Sequence, residues 1–386
     1  MKTYLDKNVY EAALERIAYC FQEFDNVLVA FSGGKDSGVL LNLCYNYADE
    51  HGLLDKLTMY HLDYEAQYQM TTEYVTRTFL EQFPGIRKMW YCVPIKAQSA
   101  CALGEPYWTP WDAAKKKLWV RAMPENPYVV HEGNLDVPFR HGMVDYEFQD
   151  KLSRHFAKKR GTTAVMVGLR ADESLNRYAA VARGKKRRSY EGRKWITQTS
   201  AVTANVYPLY DWRVSDIWTA TARFGFDYNR LYDLLYQAGL TAGQMRVASP
   251  FNDCAQESLK LYKVIDPSNW ARMIGRVNGV NFTGLYGGTT AMGWKTIKLP
   301  PGHTWKSYYE FLLSTMDART AAHYNNILEK SKRYWMQGGT VDPGTADEVL
   351  AAYPLAAVTG KSGRYDGRDI VQFMGYPDDM PVSNFR

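Results

Sequence analysis

A chain of 386 residues, 46% hydrophobic and 23% charged, is long enough for two globular domains, and none of its apolar runs approaches the ~20 residues of a membrane helix. Five cysteines, odd in number and without a CxxC pair, exclude a disulfide framework and the usual zinc or iron–sulfur spacing, and they point to a reducing cytoplasm. The net charge of +6 is unevenly spread: "RGKKRRSYEGRK", Arg183 to Lys194, sets seven Lys or Arg against one Glu.

The chain starts "MKTYLDKNVYEAALERIAYCF", with acids among its apolar residues and no small-residue cleavage site, so it is expected not to be a signal peptide. Residues 8–24 carry a helical stripe of Ala12, Ala13, Ile17, Cys20, Phe21 and Phe24. Val27–Phe31 reads as a buried strand. After the turn Ser32-Gly33-Gly34-Lys35-Asp36-Ser37, a second helical stripe follows at Val39, Leu40, Leu43, Cys44 and Tyr47. "KLTMYHLDYE" (Lys56–Glu65) and "RKMWYCVPI" (Arg87–Ile95) read as strands, with the helix "MTTEYVTRTFLEQF" between them. The Trp- and Pro-rich stretch Lys96–Pro138 has no clear period and reads as an irregular excursion. "YEFQDKLSRHFAKKRG" is a helix ended by Gly161, and "TTAVMVGL" (Thr162–Leu169) is a fourth strand. This alternation predicts an α/β fold: a parallel twisted sheet with helices on both faces. From about Tyr228 the pattern is helical with Gly, Pro and Asn turns. The expected division is residues 1–235, an α/β domain, and 236–386, a mainly helical domain.

A strand, a glycine-rich turn and a helix make an anion site. The helix N-terminus offers free N–H groups and the positive end of its dipole, and glycines let an oxyanion approach. Ser32 and Ser37 add hydroxyls and Lys35 adds charge, so a phosphate chain is the expected ligand. The spacing is not that of Walker A.

"FSGGKDS" resembles the PP-loop, SGGxDS, of the ATP pyrophosphatases and the phosphoadenylyl-sulfate (PAPS) reductases. "VMVGLRADESLNR" is similar to that superfamily's "GxRxxES" segment, and "VYPLYDWRVSDIW" to its "PLxxWxxxDIW" segment; together the likeness covers roughly residues 20–235. The resemblance implies an adenine nucleotide held by Ser32, Gly33, Gly34, Lys35, Asp36, Ser37, Gly168, Arg170 and Arg177, with Asp63, in "YHLDYE", near the adenine or ribose. It implies ATP cleaved between the α- and β-phosphates, with Lys35, Asp36 and Arg170 as catalytic residues and Mg²⁺ held with help from Asp36. The C-terminal part resembles a bacterial and prophage subgroup, co-activator-like and encoded beside a ParB-like partner.

The chain departs from the reductases in one respect. Their Glu-Cys-Gly-Leu-His nucleophile motif is absent, and Cys254, read as a buried structural thiol, is the sole cysteine after the loop domain. Three readings follow: an ATP pyrophosphatase or adenylyltransferase; a strict PAPS or adenylyl-sulfate reductase, disfavoured by the cysteines; and a nucleotide-sensing regulator that binds DNA or a ParB-like partner. The basic run Arg183–Lys194 is expected to be a mobile loop that contacts a polyanion such as nucleic acid.

Overall fold

The computed structural model describes residues 6–326 apart from 103–104, 183–188, 248, 253–254, 256–257, 288–300, 304, 320 and 323. Its first part runs α1 (Val9–Glu23), β1 (Asn26–Ala30), α2 (Lys35–Glu50), β2 (Leu57–Leu62), α3 (Gln69–Glu81) and β3 (Arg87–Cys92). Two short strands, β4 (Ala97–Gln98) and β5 (Tyr107–Trp108), form a small sheet of their own, and β6 (Val129–His131) returns to the main one. Then come α4 (Asp145–Arg160), β7 (Thr163–Val167), α5 (Leu175–Ala182), β8 (Ser189–Tyr190), β9 (Arg193–Gln198), β10 (Thr203–Val206), α6 (Val214–Phe224) and α7 (Leu231–Gln237).

The main sheet has eight strands in the order β6-β3-β2-β1-β7-β10-β9-β8. The six from β6 to β10 are parallel; β9 and β8 continue as antiparallel strands. Both faces of the central strands are apolar, as a covered parallel sheet requires. Val27 and Val29 pack on one side with Ile17, Leu40, Leu43, Phe79 and Ile217 of the helices, while Leu28 faces Phe148, Leu152 and Phe156 of α4 on the other. α1 starts on a capping box between Asn8 and Glu11, and α4 ends at Gly161, whose φ of 104° suits only glycine.

The excursion Lys96–Pro138 thus contains an edge strand, β6, and the end of the basic run, Ser189–Lys194, lies in a β-hairpin rather than a loop. Residues 183–188 lie outside the described residues.

The chain divides into two compact units: residues 1–97 with 109–249, and residues 98–108 with 250–386. α7, at the expected boundary, belongs to the first unit. The second contains α8 (Tyr262–Ile265), α9 (Pro267–Arg276), α10 (Val280–Tyr286) and α11 (Trp305–Ser314). α9 begins on the Asp266 cap with Pro267 in its first turn, and Gly284 sits under Trp270. Among the described residues no helix is long and apolar enough to cross a membrane.

Candidate functional site

Strand order reverses between β1 and β7: β1, β2 and β3 step one way, and β7 and β10 lie on the other side of β1. In open parallel sheets the crevice at the C-terminal ends of two such strands is the usual ligand site. The glycine turn leaves β1 there, and Gly168–Arg170 leave β7 beside it.

The turn is built by its own residues. Gly33 has φ +77°, and a Cβ on it would lie 2.9 Å from Val75 Cγ2. The Ser32 N–H donates to Ser37 Oγ at 3.1 Å, the two hydroxyls are 2.9 Å apart, and Ser37 Oγ donates to the Gly34 carbonyl at 3.1 Å. Both serines therefore knit the loop. Gly168 is needed for close approach: a Cβ there would fall 2.9 Å from Asp36 C and Ser37 N.

Asp36, in the first turn of α2, joins the two loops. One carboxylate oxygen accepts from Arg170 Nε, and the other lies 3.1 Å from Lys35 Nζ. Arg170, with 3% of its side chain exposed, also pairs with Asp172 at 2.5 Å. Burial pulls the Arg170 pKa down, but Asp36, Asp172 and Glu173 outweigh it and hold the guanidinium above its ordinary value. Lys35 Nζ also donates to the Met245 carbonyl at 3.3 Å and sits over the Tyr232 ring, 5.3 Å from its centroid.

The structure thus brings Ser32–Ser37, Gly168 and Arg170 together. Arg177, on α5, pairs with Glu173 at 3.1 Å, and Glu173 also faces Arg246. Asp63 lies past the end of β2, fully buried. Its carboxylate accepts from Arg121 at 2.5 and 2.6 Å, from Trp90 Nε1 at 2.7 Å and from the Glu65 N–H at 2.8 Å. Burial pushes its pKa up, but Arg121 and His61 more than offset this and hold it below the usual carboxylate range. Its oxygens are occupied by protein donors.

Three contributors were not apparent from sequence. Tyr232 OH accepts the Lys35 N–H at 3.1 Å, Met245 supplies the carbonyl to Lys35, and Asn229 Nδ2 donates to the Gly33 carbonyl at 3.1 Å and to Thr71 Oγ1 at 2.9 Å. "DYNRLYDLLYQAG" reads as an amphipathic helix, and no local signal separates its Asn or Tyr from core residues.

Among the described residues no group of three or more His, Cys, Asp or Glu could hold a metal ion on its own. Asp36 is a single hard carboxylate beside the glycine turn with both oxygens facing protein cations, Arg170 Nε and Lys35 Nζ, so a Mg²⁺ there would take most of its ligands from substrate oxygens and water. The four described cysteines, Cys20, Cys44, Cys92 and Cys101, are buried, and burial raises the thiol pKa of Cys20, Cys44 and Cys92. Cys254 lies outside the described residues.

This fold and loop are those of the PP-loop proteins. Residues 26–238 match the phosphoadenosine phosphosulfate reductase domain, and the chain belongs to that family; residues 239–386 match a domain of unknown function, DUF3440. The chain is similar to the uncharacterized protein YbdN of Escherichia coli (strain K12), with 34% identity over 353 residues, 90% of this chain and 85% of that protein. Among solved structures, the phosphate complex of phosphoadenylyl-sulfate reductase from Candida auris matches 60% of this chain and 93% of its own at 15% identity and a TM-score of 0.33. The FMN adenylyltransferase of Candida glabrata, with FMN and AMPCPP, matches 60% and 63% at 13% identity and a TM-score of 0.34.

Proposed function

We propose that this protein binds ATP at the Ser32–Ser37 loop and cleaves it between the α- and β-phosphates, passing adenylate to an acceptor. The observation that carries the reading is the convergence of Lys35, Asp36 and Arg170 on one glycine turn at the switch point of the sheet. In such a step an acceptor oxygen attacks the α-phosphorus, the bond from it to the bridging oxygen breaks, and pyrophosphate leaves with the electron pair. A phosphate chain at the Gly33–Gly34 turn would take the Lys35 N–H from Tyr232 OH and the Gly34 N–H from Ser32 Oγ, and Lys35 and Arg170 are placed to oppose charge on the leaving group. Mg²⁺ held by Asp36 and phosphate oxygens would supply further neutralisation there. Arg177, through Glu173, and Asp63, through Arg121, support the walls of the site rather than its centre.

A second reading is favoured by Tyr232 and Met245, which hold the N–H and the ammonium of Lys35. Nucleotide binding is then linked to the placement of the segment around residues 229–247, as in a nucleotide-sensing regulator whose partner is a ParB-like protein or a nucleic acid contacted through Arg183–Lys194. Pyrophosphate release from ATP and Mg²⁺ separates the two. The first reading expects release that is lost in Asp36→Ala, together with an ATP affinity weakened at least about tenfold, since a charge-assisted contact is worth ~1.5–3 kcal/mol. ATP binding without pyrophosphate release, with or without nucleic acid, leaves the regulator. Sulfite released from PAPS with thioredoxin would instead revive the strict reductase.

A further inference from the structure

Residues 111–121 form a projection, exposed from Ala113 to Leu118 between the buried Trp111 and Val120. Its tip, Ala113–Leu118, is a 3-10 segment kinked at Lys115, in which Lys115, Lys116 and Lys117 follow one another, all exposed, with Leu118 51% exposed after them. Among the described residues none of the three lysines is paired with an acid. Adjacent cations repel, and a loop carrying them is relieved by disorder. Here the opposite is built. Glu65, fully buried, accepts the Trp111 N–H at 2.7 Å with one oxygen and the Val120 N–H at 3.0 Å with the other, so a single carboxylate ties both ends of the projection. Trp111 and Trp119 pack edge to face at 5.1 Å, and their indole N–H groups donate to the Asp63 and Asp112 carbonyls at 2.9 Å. Arg121 closes the base on Asp63 and lies over the Trp111 ring. Glu65 and Trp111 adopt left-handed backbone, φ 62° and 56°, a conformation that non-glycine residues rarely take.

We propose that this pinned tri-lysine projection is a binding site for the phosphodiester backbone of single-stranded nucleic acid. Glu65 and Asp63 follow the end of β2, the strand beside β1, so the projection hangs from the edge of the sheet that carries the glycine loop. Three exposed cations on a tip whose two ends are pinned can meet neighbouring phosphates of a flexible strand, and the part-exposed Trp119, with Lys116 5.7 Å from its centroid, is a stacking surface for a base. One exposed leucine gives too little apolar area for the membrane surface to be the partner. The inference stands apart from ATP cleavage, because binding is read without nucleotide.

The test is fluorescence anisotropy of the full chain with a labelled oligo(dT) of about 20 nucleotides at ~50 mM salt, titrated upward in salt. Lys115, Lys116 and Lys117 changed together to Ala should weaken binding at least tenfold and flatten the slope of log K against log[salt] by about 2, from ~0.7 per phosphate on a single strand. The same three changed to Arg should bind as the wild type does, and both variants should melt with the wild type and keep its ATP affinity. No oligonucleotide binding by the wild type, an unchanged slope in the Ala variant, or failure of the Arg variant to bind each overturns the proposal. Binding to phosphatidylserine vesicles in place of the oligonucleotide overturns it in favour of a membrane.

Discussion

Arg170 gives the sharpest test of how the site is held. From sequence alone it is expected to serve the anionic end of the nucleotide, so that Arg170→Lys leaves the melting temperature almost unchanged, with a structural ion pair to Asp172 or Glu173 as the alternative. The geometry changes that expectation, because Arg170 is 3% exposed and its fork spans two carboxylates, Asp36 with 16% and Asp172 with 40% of their side chains exposed. Replacing it with methionine keeps the length and removes the charge. Asp36 is then left nearly buried with Lys35 as its remaining cation, and breaking a buried pair from one side costs about 3–5 kcal/mol. For a unit of this size each kcal/mol moves the melting temperature by about 2–4 °C, so Arg170→Met should melt roughly 6–20 °C below the wild type. Arg170→Lys keeps the charge without the fork and should fall between them. The discriminating assay is a cycle of thermal melts. Asp36→Asn in the Arg170→Met background removes the stranded charge, so the double variant should recover at least about 1 kcal/mol relative to additivity. A drop of less than about 2 °C for Arg170→Met, or losses that simply add, would refute the ion-pair account and return Arg170 to a purely ligand-facing role.

Two further outcomes follow from the same geometry. Gly33→Ala places a Cβ 2.9 Å from Val75 in a left-handed backbone, and Gly168→Ala drives one into the Asp36–Ser37 backbone; each should cost about 1–3 kcal/mol in denaturant melts and weaken ATP binding, read by calorimetry, and unchanged values would show that the two loops are not in close register. Asp63 has its pKa lowered in the fold, so it contributes stability above its unfolded value of about 3.9 that is lost as pH falls below it. Arg121→Met should invert the sign, since the unpaired buried carboxyl then titrates upward and stability falls as pH rises from about 4 to 7; urea melts across that range check it, and a parallel pair of curves would refute it.

What was legible in the sequence was local. The run from Val27 to Tyr47 announces strand, turn and helix through two periods and two glycines, and "VMVGLR" places Gly168 and Arg170 at the end of a valine-rich strand. Short elements escaped because they lack a period: β6 is three residues inside a Trp- and Pro-rich stretch, and β10, "TANV", is four residues with two polar side chains. The hairpin of β8 and β9 was masked by the charge around it. Partners distant in sequence were equally invisible. The Lys35 N–H meets Tyr232 OH 197 positions away, and Asp63 meets Arg121 58 positions away, so neither can be inferred from spacing.

The acids at the ligand edge of this sheet share one physical role. Asp36, Asp63 and Glu65 stand just past the ends of adjacent strands, buried or nearly so, and each accepts hydrogen bonds from groups brought in by another part of the chain. Buried carboxylates are costly unless every lone pair is used, and here the partners are two arginines, a lysine and backbone N–H groups of a long excursion. The effect is to fix cations that would otherwise repel: Arg170 and Lys35 about one carboxylate, and the ends of the tri-lysine turn about another. With the acids inside and Lys115–Lys117 outside, the backbone that carries the tri-lysine turn is held before any anion arrives. A loop whose backbone is held in advance loses less conformational entropy on binding than a free one. On this argument Glu65→Gln, which keeps the shape but weakens the tie, should leave the lysines in place on the chain and still lower oligonucleotide affinity.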